Sequence, residues 1–554
     1  MNYYGDGDIA ADRAALVPSG LTQWIATDAL RPADIAGRCT VEALQAALSE
    51  IEGAEVVSAS VNRSGSFVPP QPHWIPNYAP VPDEIGDLPD YCSVEIHQRT
   101  PGGHVAHILV WVPLAWNRRL LATGGMGSVT GPLWFEMPAI RTITMPVALR
   151  NGFATAATDA GNRDPRFYEW PLMGGGGLDW ESMRNWSYRS THDMAVVAKA
   201  VIEALHAAAP AYSYYAGCSG GGRQGVASAL RHPSDFDGVW ASDPALDWTS
   251  LWPAALWPAL VMKEMDNPLP PAKLAAFRDA AIEDRDGKDG LRDGIVALVD
   301  VKDFDPASVV GRQTGAGPIT DLDAEVMRKC WDGPRRANGE RLGFGLPPGT
   351  TSWEAIGIWR TEEVDGKLVP VAGEAQAYFR WITEDPAFDW RTLDFAKFEE
   401  LVDRGIEKFA EFAINSPDLS GLRNCEGKLL LSQALNDQVI MPEGMIDYYR
   451  RVVDWAGGID EAKSVARLFV TDGDIHGNIA GKGPGLTSAG AMAALMKWVE
   501  FGEAPEEIIA ERIDITTGQV DQSRPVYAYP AVTRYSGSGD PSEARSFVRA
   551  DIPM

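Results

Sequence analysis

Residues 217–225 read Gly-Cys-Ser-Gly-Gly-Gly-Arg-Gln-Gly. The aromatic run Tyr212-Ser213-Tyr214-Tyr215 precedes them, and an apolar stretch with helical spacing, Val226 to Leu230, follows. That order predicts a strand, a tight turn and a helix. Glycines on both sides of Ser219 permit a sharp bend and let a carbonyl group approach the backbone N–H groups. A serine pushed out on such a turn is presented as a nucleophile, and Gly217-Cys218-Ser219-Gly220-Gly221 fits Gly-x-Ser-x-Gly. Glycine-rich turns with a serine also occur as plain connectors, so the five residues alone leave both readings open.

A serine nucleophile needs a base, and the base needs a carboxylate to orient it. On an α/β-hydrolase sheet the chain order is Ser, then acid, then His. Two histidines lie beyond Ser219. His232, in Arg231-His232-Pro233, ends the predicted helix and reads as a helix-end residue. His476, in Thr471-Asp472-Gly473-Asp474-Ile475-His476-Gly477-Asn478, follows the strand-like run Ala466 to Val470 and is the predicted base. Asp437 falls on the loop after the buried-strand pattern Lys428 to Leu431 and is the predicted acid, although a loop Asp also serves as a turn former or helix cap. The expected triad is Ser219, Asp437 and His476. Its oxyanion would be met by the Gly220 N–H and by one from Gly124-Gly125-Met126-Gly127, with Gly125 and Met126 both eligible. That stretch lacks the Lys-Ser/Thr of a phosphate-binding loop.

Strand and helix signals alternate from about Val94 to Asp243. Val94–Ile96, His107–Val112, Leu120–Thr123, Ala154–Thr158, Tyr212–Ala216 and Val239–Ser242 read as strands, and Thr191–Ala209 as a long amphipathic helix. This is the rhythm of a doubly wound, mostly parallel α/β sheet. It breaks between about Leu246 and Leu419, a region rich in Trp, Pro and Gly that holds Trp248, Trp252, Trp257, Trp331, Trp353, Trp359, Trp381 and Trp390. The chain therefore divides into a discontinuous catalytic domain, residues 1–246 with 420–554, and a large inserted lid domain, 247–419.

Several further motifs occur in a fixed order: Val110 to Asn117, Gly124 to Gly127, Thr158-Asp159-Ala160-Gly161, Tyr188-Arg189-Ser190-Thr191-His192, the turn around Ser219 with Asp235-Phe236-Asp237-Gly238, Asn436 to Pro442, Trp498-Val499-Glu500, Arg524-Pro525 and Tyr535 to Asp540. On these motifs the chain resembles the tannase and feruloyl esterase family of serine esterases, which includes mono(hydroxyethyl) terephthalate hydrolases. The resemblance implies hydrolysis of esters of aromatic acids: galloyl, hydroxycinnamoyl or phthaloyl-like. It also implies a structural calcium in the lid. Within Asp284 to Ile295, Asp286, Asp289 and Asp293 offer carboxylates, and Leu291 and Ile295 offer carbonyls, on a tightly turning loop suited to Ca²⁺. An EF-hand is excluded, because its twelfth-position Glu and flanking helices are missing. A solvated acidic turn is the plain alternative.

The departures matter too. The family pairs the cysteine before its nucleophile with one directly after the base histidine. Here Cys218 is present but Gly477 follows His476, so that bridge cannot form and the triad must be aligned by packing and hydrogen bonds. Cys39 and Cys92 resemble positions that pair in secreted relatives. With five cysteines and no Cys-x-x-Cys, a zinc knuckle is not expected. Residues 1–8 show neither a basic nor an apolar leader segment, which predicts a cytoplasmic protein, with secretion as the alternative. The net charge of −27 argues against nucleic acid or an anionic membrane as partner. The expected partner is a small-molecule ester, bound by a monomer or homodimer. Arg380 and Trp381 are proposed to touch it, the arginine at a substrate carboxylate and the lid tryptophans by stacking, although a surface salt bridge is the plainer role for Arg380. An acyltransferase or lyase using the same triad is the competing reading.

Overall fold

The computed structural model describes residues 34–69, 83–128, 130–131, 143–163, 168–298, 304–350, 360–478, 481–514 and 519–552, with positions 30, 32 and 517. Nine strands form the main sheet: β1 (Ala54–Asn62), β2 (Tyr91–Arg99), β3 (Val105–Pro113), β4 (Arg119–Thr123), β5 (Ala154–Thr158), β6 (Tyr212–Cys218), β7 (Gly238–Ser242), β8 (Lys428–Ala434) and β9 (Ala466–Thr471). Their spatial order is β1-β2-β3-β5-β4-β6-β7-β8-β9. The first three pairings are antiparallel and the rest, from β5 onward, are parallel. This is the α/β-hydrolase architecture read from the sequence.

Burial explains the residue choice. β4, β5, β7 and β9 are buried along their whole length, as parallel strands covered on both faces must be. β2, near the antiparallel edge, alternates buried and half-buried positions. One face of the sheet is covered by helices α1 (Ser190–His206), α2 (Gly220–Arg231) and Pro442–Ala456, and the other by Met145–Arg150 and Ser488–Phe501. α1 buries Met194, Val197, Ala198, Val201, Ile202 and Leu205, an i, i+3, i+4 stripe. Arg119 at the start of β4 makes a buried two-pronged pair with Glu500, which also accepts from Tyr214 OH at 2.7 Å. This pins the C-terminal helix to the middle of the sheet.

Residues 247–419 add no strand to the main sheet among those described. They form helices Trp248–Glu264, Pro271–Arg285, Asp321–Asp332, Ala375–Thr383 and Phe395–Lys408, with a hairpin of Arg360–Val364 and Lys367–Val371. Their apolar core also takes in Trp170, Leu172, Leu178, Met183 and Trp186 from before α1, and Ile440 and Met441 from beyond β8. The packing unit of this insertion is thus wider than the 247–419 span, because the segment leading into α1 lies over its tryptophans. Trp353 and Trp359 fall outside the described residues. β1 and two C-terminal hairpins, Glu507–Ile513 with Val520–Tyr527 and Ala531–Tyr535 with Phe547–Asp551, are not among the strands expected from the sequence. Cys39 and Cys92 form a disulfide, and Cys218, Cys330 and Cys425 are free. Among the described residues no helix is long and apolar enough to cross a membrane.

Candidate active site

The parallel strands end along one edge of the sheet, at Thr123, Thr158, Cys218, Ser242, Ala434 and Thr471. In open α/β sheets this carboxyl edge is where ligands bind. Ser219 occupies the turn between β6 and α2 with φ 59° and ψ −121°, a strained conformation for a non-glycine residue. The turn is clamped on both sides: Ser219 N–H donates to Ser242 O at 2.9 Å, and Ser219 O accepts from Ala245 N–H at 3.1 Å. Glycine is needed at 220 because a Cβ there would stand 2.2 Å from Gly127 O, so the 124–127 loop lies directly against the start of α2.

Asp437 follows β8 and is fully buried. Its Oδ1 accepts the N–H groups of Val439 and Ile440, both at 2.8 Å. Its Oδ2 faces His476 Nδ1 at 2.8 Å and also accepts from Gln433 Nε2 at 3.2 Å. With one oxygen held by backbone donors, the other can only face the ring. An acceptor at Nδ1 places the proton there and leaves Nε2 bare as a base. His476 lies on the loop after β9, where its own N–H donates to Gln438 Oε1 at 3.3 Å. Burial alone pulls its pKa down, but the charges of Asp437, Asp243 and Asp474 outweigh this and hold it above the ordinary imidazole value. Among the described residues no hydrogen bond joins Ser219 Oγ to the ring. Such bonds are commonly long before substrate binds. The residues beside them do meet, since Cys218 Sγ and Gly477 N–H both approach Asp243 Oδ2, at 3.9 and 3.1 Å. His232 lies elsewhere, stacked on His192 at 4.0 Å.

The two eligible oxyanion donors separate. Gly125 N–H donates to Gln224 Oε1 at 2.9 Å, so its donor is occupied by a side chain of α2. Gln224 fixes the loop, a role not evident from the sequence.

Arg380 pairs with Glu169 and donates from Nε to Phe388 O at 3.3 Å. The guanidinium is therefore engaged in an ion pair, the plainer of the two roles read for it from the sequence. Trp381 is 2% exposed and donates from Nε1 to Tyr168 O. It packs among Trp170, Trp186 and Trp248, within the apolar core of the 247–419 insertion. Tyr168 and Trp252 are the half-buried members of this cluster, 4.9 Å apart and edge to face. Arg223 on α2 is fully buried over the Trp186 ring at 4.0 Å, where burial pulls its pKa down to about 9. Its donors go to Ser187 and to Phe412 O. The serine-bearing helix is thereby fastened to the lid core.

The acidic loop 286–295 turns on Gly287, Gly290 and Gly294, all at positive φ. Asp286, Asp289 and Asp293 each cap a loop N–H through Oδ1, and Asp293 Oδ2 pairs with Arg524. Their carboxylates are not among the groups of three whose ligand atoms lie within 4.8 Å of one another. Neither Leu291 O nor Ile295 O accepts a hydrogen bond among the described residues. The loop is remote from the triad in sequence but adjacent to the base loop in space. Asp472 Oδ1 accepts from Leu298 N–H at 2.9 Å, and the Ile295 side chain lies against Gly473 and Gly483.

A family model described as tannase and feruloyl esterase matches residues 92–550. The chain is 34% identical over 509 residues to a protein of Arthroderma benhamiae named "Probable feruloyl esterase", covering 90% of this chain and 91% of that one. It is 27% identical over 536 residues to the mono(2-hydroxyethyl) terephthalate hydrolase of Piscinibacter sakaiensis, covering 86% and 87%. Among solved structures, the tannin acyl hydrolase from Aspergillus niger superposes with a TM-score of 0.78 over 95% of this chain and 96% of that one, at 20% identity. At that identity the likeness shows the fold.

Proposed function

The chain belongs to the tannase and feruloyl esterase family and is a carboxylic ester hydrolase, and from that premise we propose that it cleaves esters of aromatic carboxylic acids through Ser219, His476 and Asp437. One observation carries this reading: a buried carboxylate held by two backbone N–H groups meets the imidazole of a loop that converges with the strained serine turn.

His476 Nε2 takes the proton from Ser219 Oγ as that oxygen bonds to the ester carbonyl carbon. Asp437 keeps the Nδ1 proton in place and stabilises the imidazolium. The oxyanion is received by the N–H groups of Gly220 and Met126, since Gly125 is occupied. Collapse expels the alcohol, which leaves with the proton from Nε2. Water then repeats the sequence on the acyl-enzyme, freeing the acid and Ser219. The names of the relatives, feruloyl esterase, tannin acyl hydrolase and terephthalate hydrolase, have an aromatic acyl group in common. The half-buried edge of the aromatic cluster, Tyr168 and Trp252, suits a flat acyl ring.

The 286–295 loop is read as a structural calcium site. Three carboxylates, and two carbonyls that accept no hydrogen bond among the described residues, suit a hard cation on a tight loop, which when bound would neutralise the loop and stiffen its contact with the base loop. The Cys39–Cys92 disulfide favours an oxidising compartment, and so the secreted alternative over a cytoplasmic one.

The test is a panel of aryl-acid and alkyl-acid esters, with and without an added alcohol acceptor. Wild type is expected to prefer aryl-acid esters and to release free acid. Ser219→Ala is expected to lower kcat by about 10⁴-fold or more. Undiminished turnover by that variant sinks the mechanism, and dominant acyl transfer to the acceptor sinks hydrolysis as the reaction.

A further inference from the structure

One side chain outside the triad touches all three of its arms. Asp243 is the first residue after β7 and is fully buried. Its Oδ1 accepts the N–H of Ala434, the last residue of the acid-bearing strand β8, at 2.7 Å. Its Oδ2 accepts the N–H of Gly477, next to the base, at 3.1 Å. The Cys218 thiol, next to the nucleophile, reaches the same Oδ2 at 3.9 Å, and Ser242 Oγ reaches it at 3.2 Å. The backbone repeats the pattern. Asp243 N–H donates to Ser432 O on β8, and its neighbours Ser242 and Ala245 clamp Ser219 from both sides.

We propose that Asp243 is a positioning residue for ester hydrolysis, a single buried carboxylate that holds the nucleophile turn, the acid strand and the base loop in register. The proposal rests on the triad reading above. A packing residue at this point would be apolar, because burying a carboxylate is costly unless its hydrogen bonds are satisfied. Here they are satisfied by groups that belong to the catalytic loops. Asp243 also adopts φ 41°, a left-handed conformation uncommon outside glycine. Strain of this kind persists where the surroundings over-determine it.

The ionisable groups gathered around the carboxylate are Asp437 from the acid loop, His476 and Asp474 from the base loop and Cys218 from β6. Ligand atoms of Asp243, Asp437 and His476 all lie within 4.8 Å of one another, so the imidazole has two acids close to it. Burial and the charge of Asp437 push the Asp243 carboxyl upward, while His476 draws it down. The negative charge of Asp243 in turn supports the protonated ring. Burial, and next the charge of Asp243, hold the Cys218 thiol well above its usual range, which keeps it from competing with Ser219.

The experiment compares wild type with Asp243→Asn, which keeps the shape and removes the charge. Active sites are counted by stoichiometric fluorophosphonate labelling, so that any misfolded fraction is discounted. Per labelled site, kcat is expected to fall about 10- to 100-fold with KM nearly unchanged, the scale of a small misplacement of reacting groups. The acid limb of kcat/KM is expected to move to lower pH, because an anion beside the imidazole has been removed. Wild-type kcat per site, or a fall in kcat with an unmoved acid limb, overturns the proposal. If the variant does not fold, amide exchange in wild type decides. The Gly477 N–H is expected to be strongly protected, and exchange at the rate of an open loop overturns the proposal. Failure of the triad reading itself looks different, because wild type would then not label at Ser219.

Discussion

Asp437 presents one oxygen to two backbone N–H groups and the other to the imidazole, whereas Arg380 in the lid meets another side chain, Glu169, and the carbonyl of Phe388. The contrast extends to the regions around them. Along the carboxyl edge of the sheet, functional side chains are held by backbone groups whose positions follow from the strands. In the lid, side chains are held mostly by each other, as in the packing of Trp186, Trp248 and Trp381. Backbone-fixed groups tolerate little displacement and serve chemistry. Aromatic packing, under this proposal, offers recognition at its less buried edge. If this distinction is right, substitutions on the edge should act on kcat and those in the lid on KM.

The largest effect is expected at the edge. Asp437→Asn should leave the fold intact and lower kcat by about 10⁴-fold, the loss typical when the orienting carboxylate no longer fixes the tautomer. The charge of Asp437 raises the pKa of His476. Its removal should therefore move the acid limb of the residual activity to lower pH, since the base must be neutral to act. A pH–rate profile of the variant checks both. A limb that moves upward would mean that the imidazole does not rely on this acid.

The 286–295 loop connects the two regions, because it belongs to the 247–419 insertion but lies against the loop that carries His476. Chelation by EGTA should lower Tm by about 2 °C or more, reversed by added Ca²⁺, with a smaller fall in kcat at temperatures where the protein stays folded. Identical melting with and without chelator would leave the loop as a solvated acidic turn capped by its own aspartates.

Legibility follows the same division. The places of Ser219, Asp437 and His476 could be read because strand ends are visible in sequence: an apolar run, then a loop, then one polar residue. The sheet strands other than β1 are legible for that reason as well. Asp243 was not, because nothing in Ser242-Asp243-Pro244 distinguishes a turn former from a tie among three loops, and its partners come from Cys218, Ala434 and Gly477, far apart in the chain. Arg223 and Gln224 stand in the stretch that decided the fold, yet their partners at Ser187, Phe412 and Gly125 could be found only in three dimensions. The boundary of the insertion is blurred because Trp170 and Trp186 precede the Ser219 turn in sequence but pack with the insertion. An aromatic residue signals burial without naming the core to which it belongs.

Within the lid the prediction is a moderate effect on binding. Trp252 and Tyr168 are the less buried edge of the aromatic cluster. Trp252→Ala should raise KM for an aryl-acid ester about 3- to 10-fold, the scale of one aromatic contact, with kcat and the KM of an alkyl-acid ester nearly unchanged. Equal losses on both esters would assign Trp252 to lid stability instead of recognition.

The smallest effect is expected at Arg380, and it sharpens the contrast most directly. Arg380 is conspicuous in sequence, a cation between aromatic residues in Tyr378-Phe379-Arg380-Trp381. Its charge is matched by Glu169, and both partners are partly exposed. Partly exposed ion pairs contribute about 0–1 kcal/mol. Arg380→Ala should therefore change kcat/KM within about threefold for esters with or without a free carboxylate, and should cost no more than a small fraction of stability. A selective loss on carboxylate-bearing esters would mean that Glu169 releases the guanidinium when substrate arrives. In that case a lid side chain, and not only the backbone-fixed edge, would act directly on the ligand.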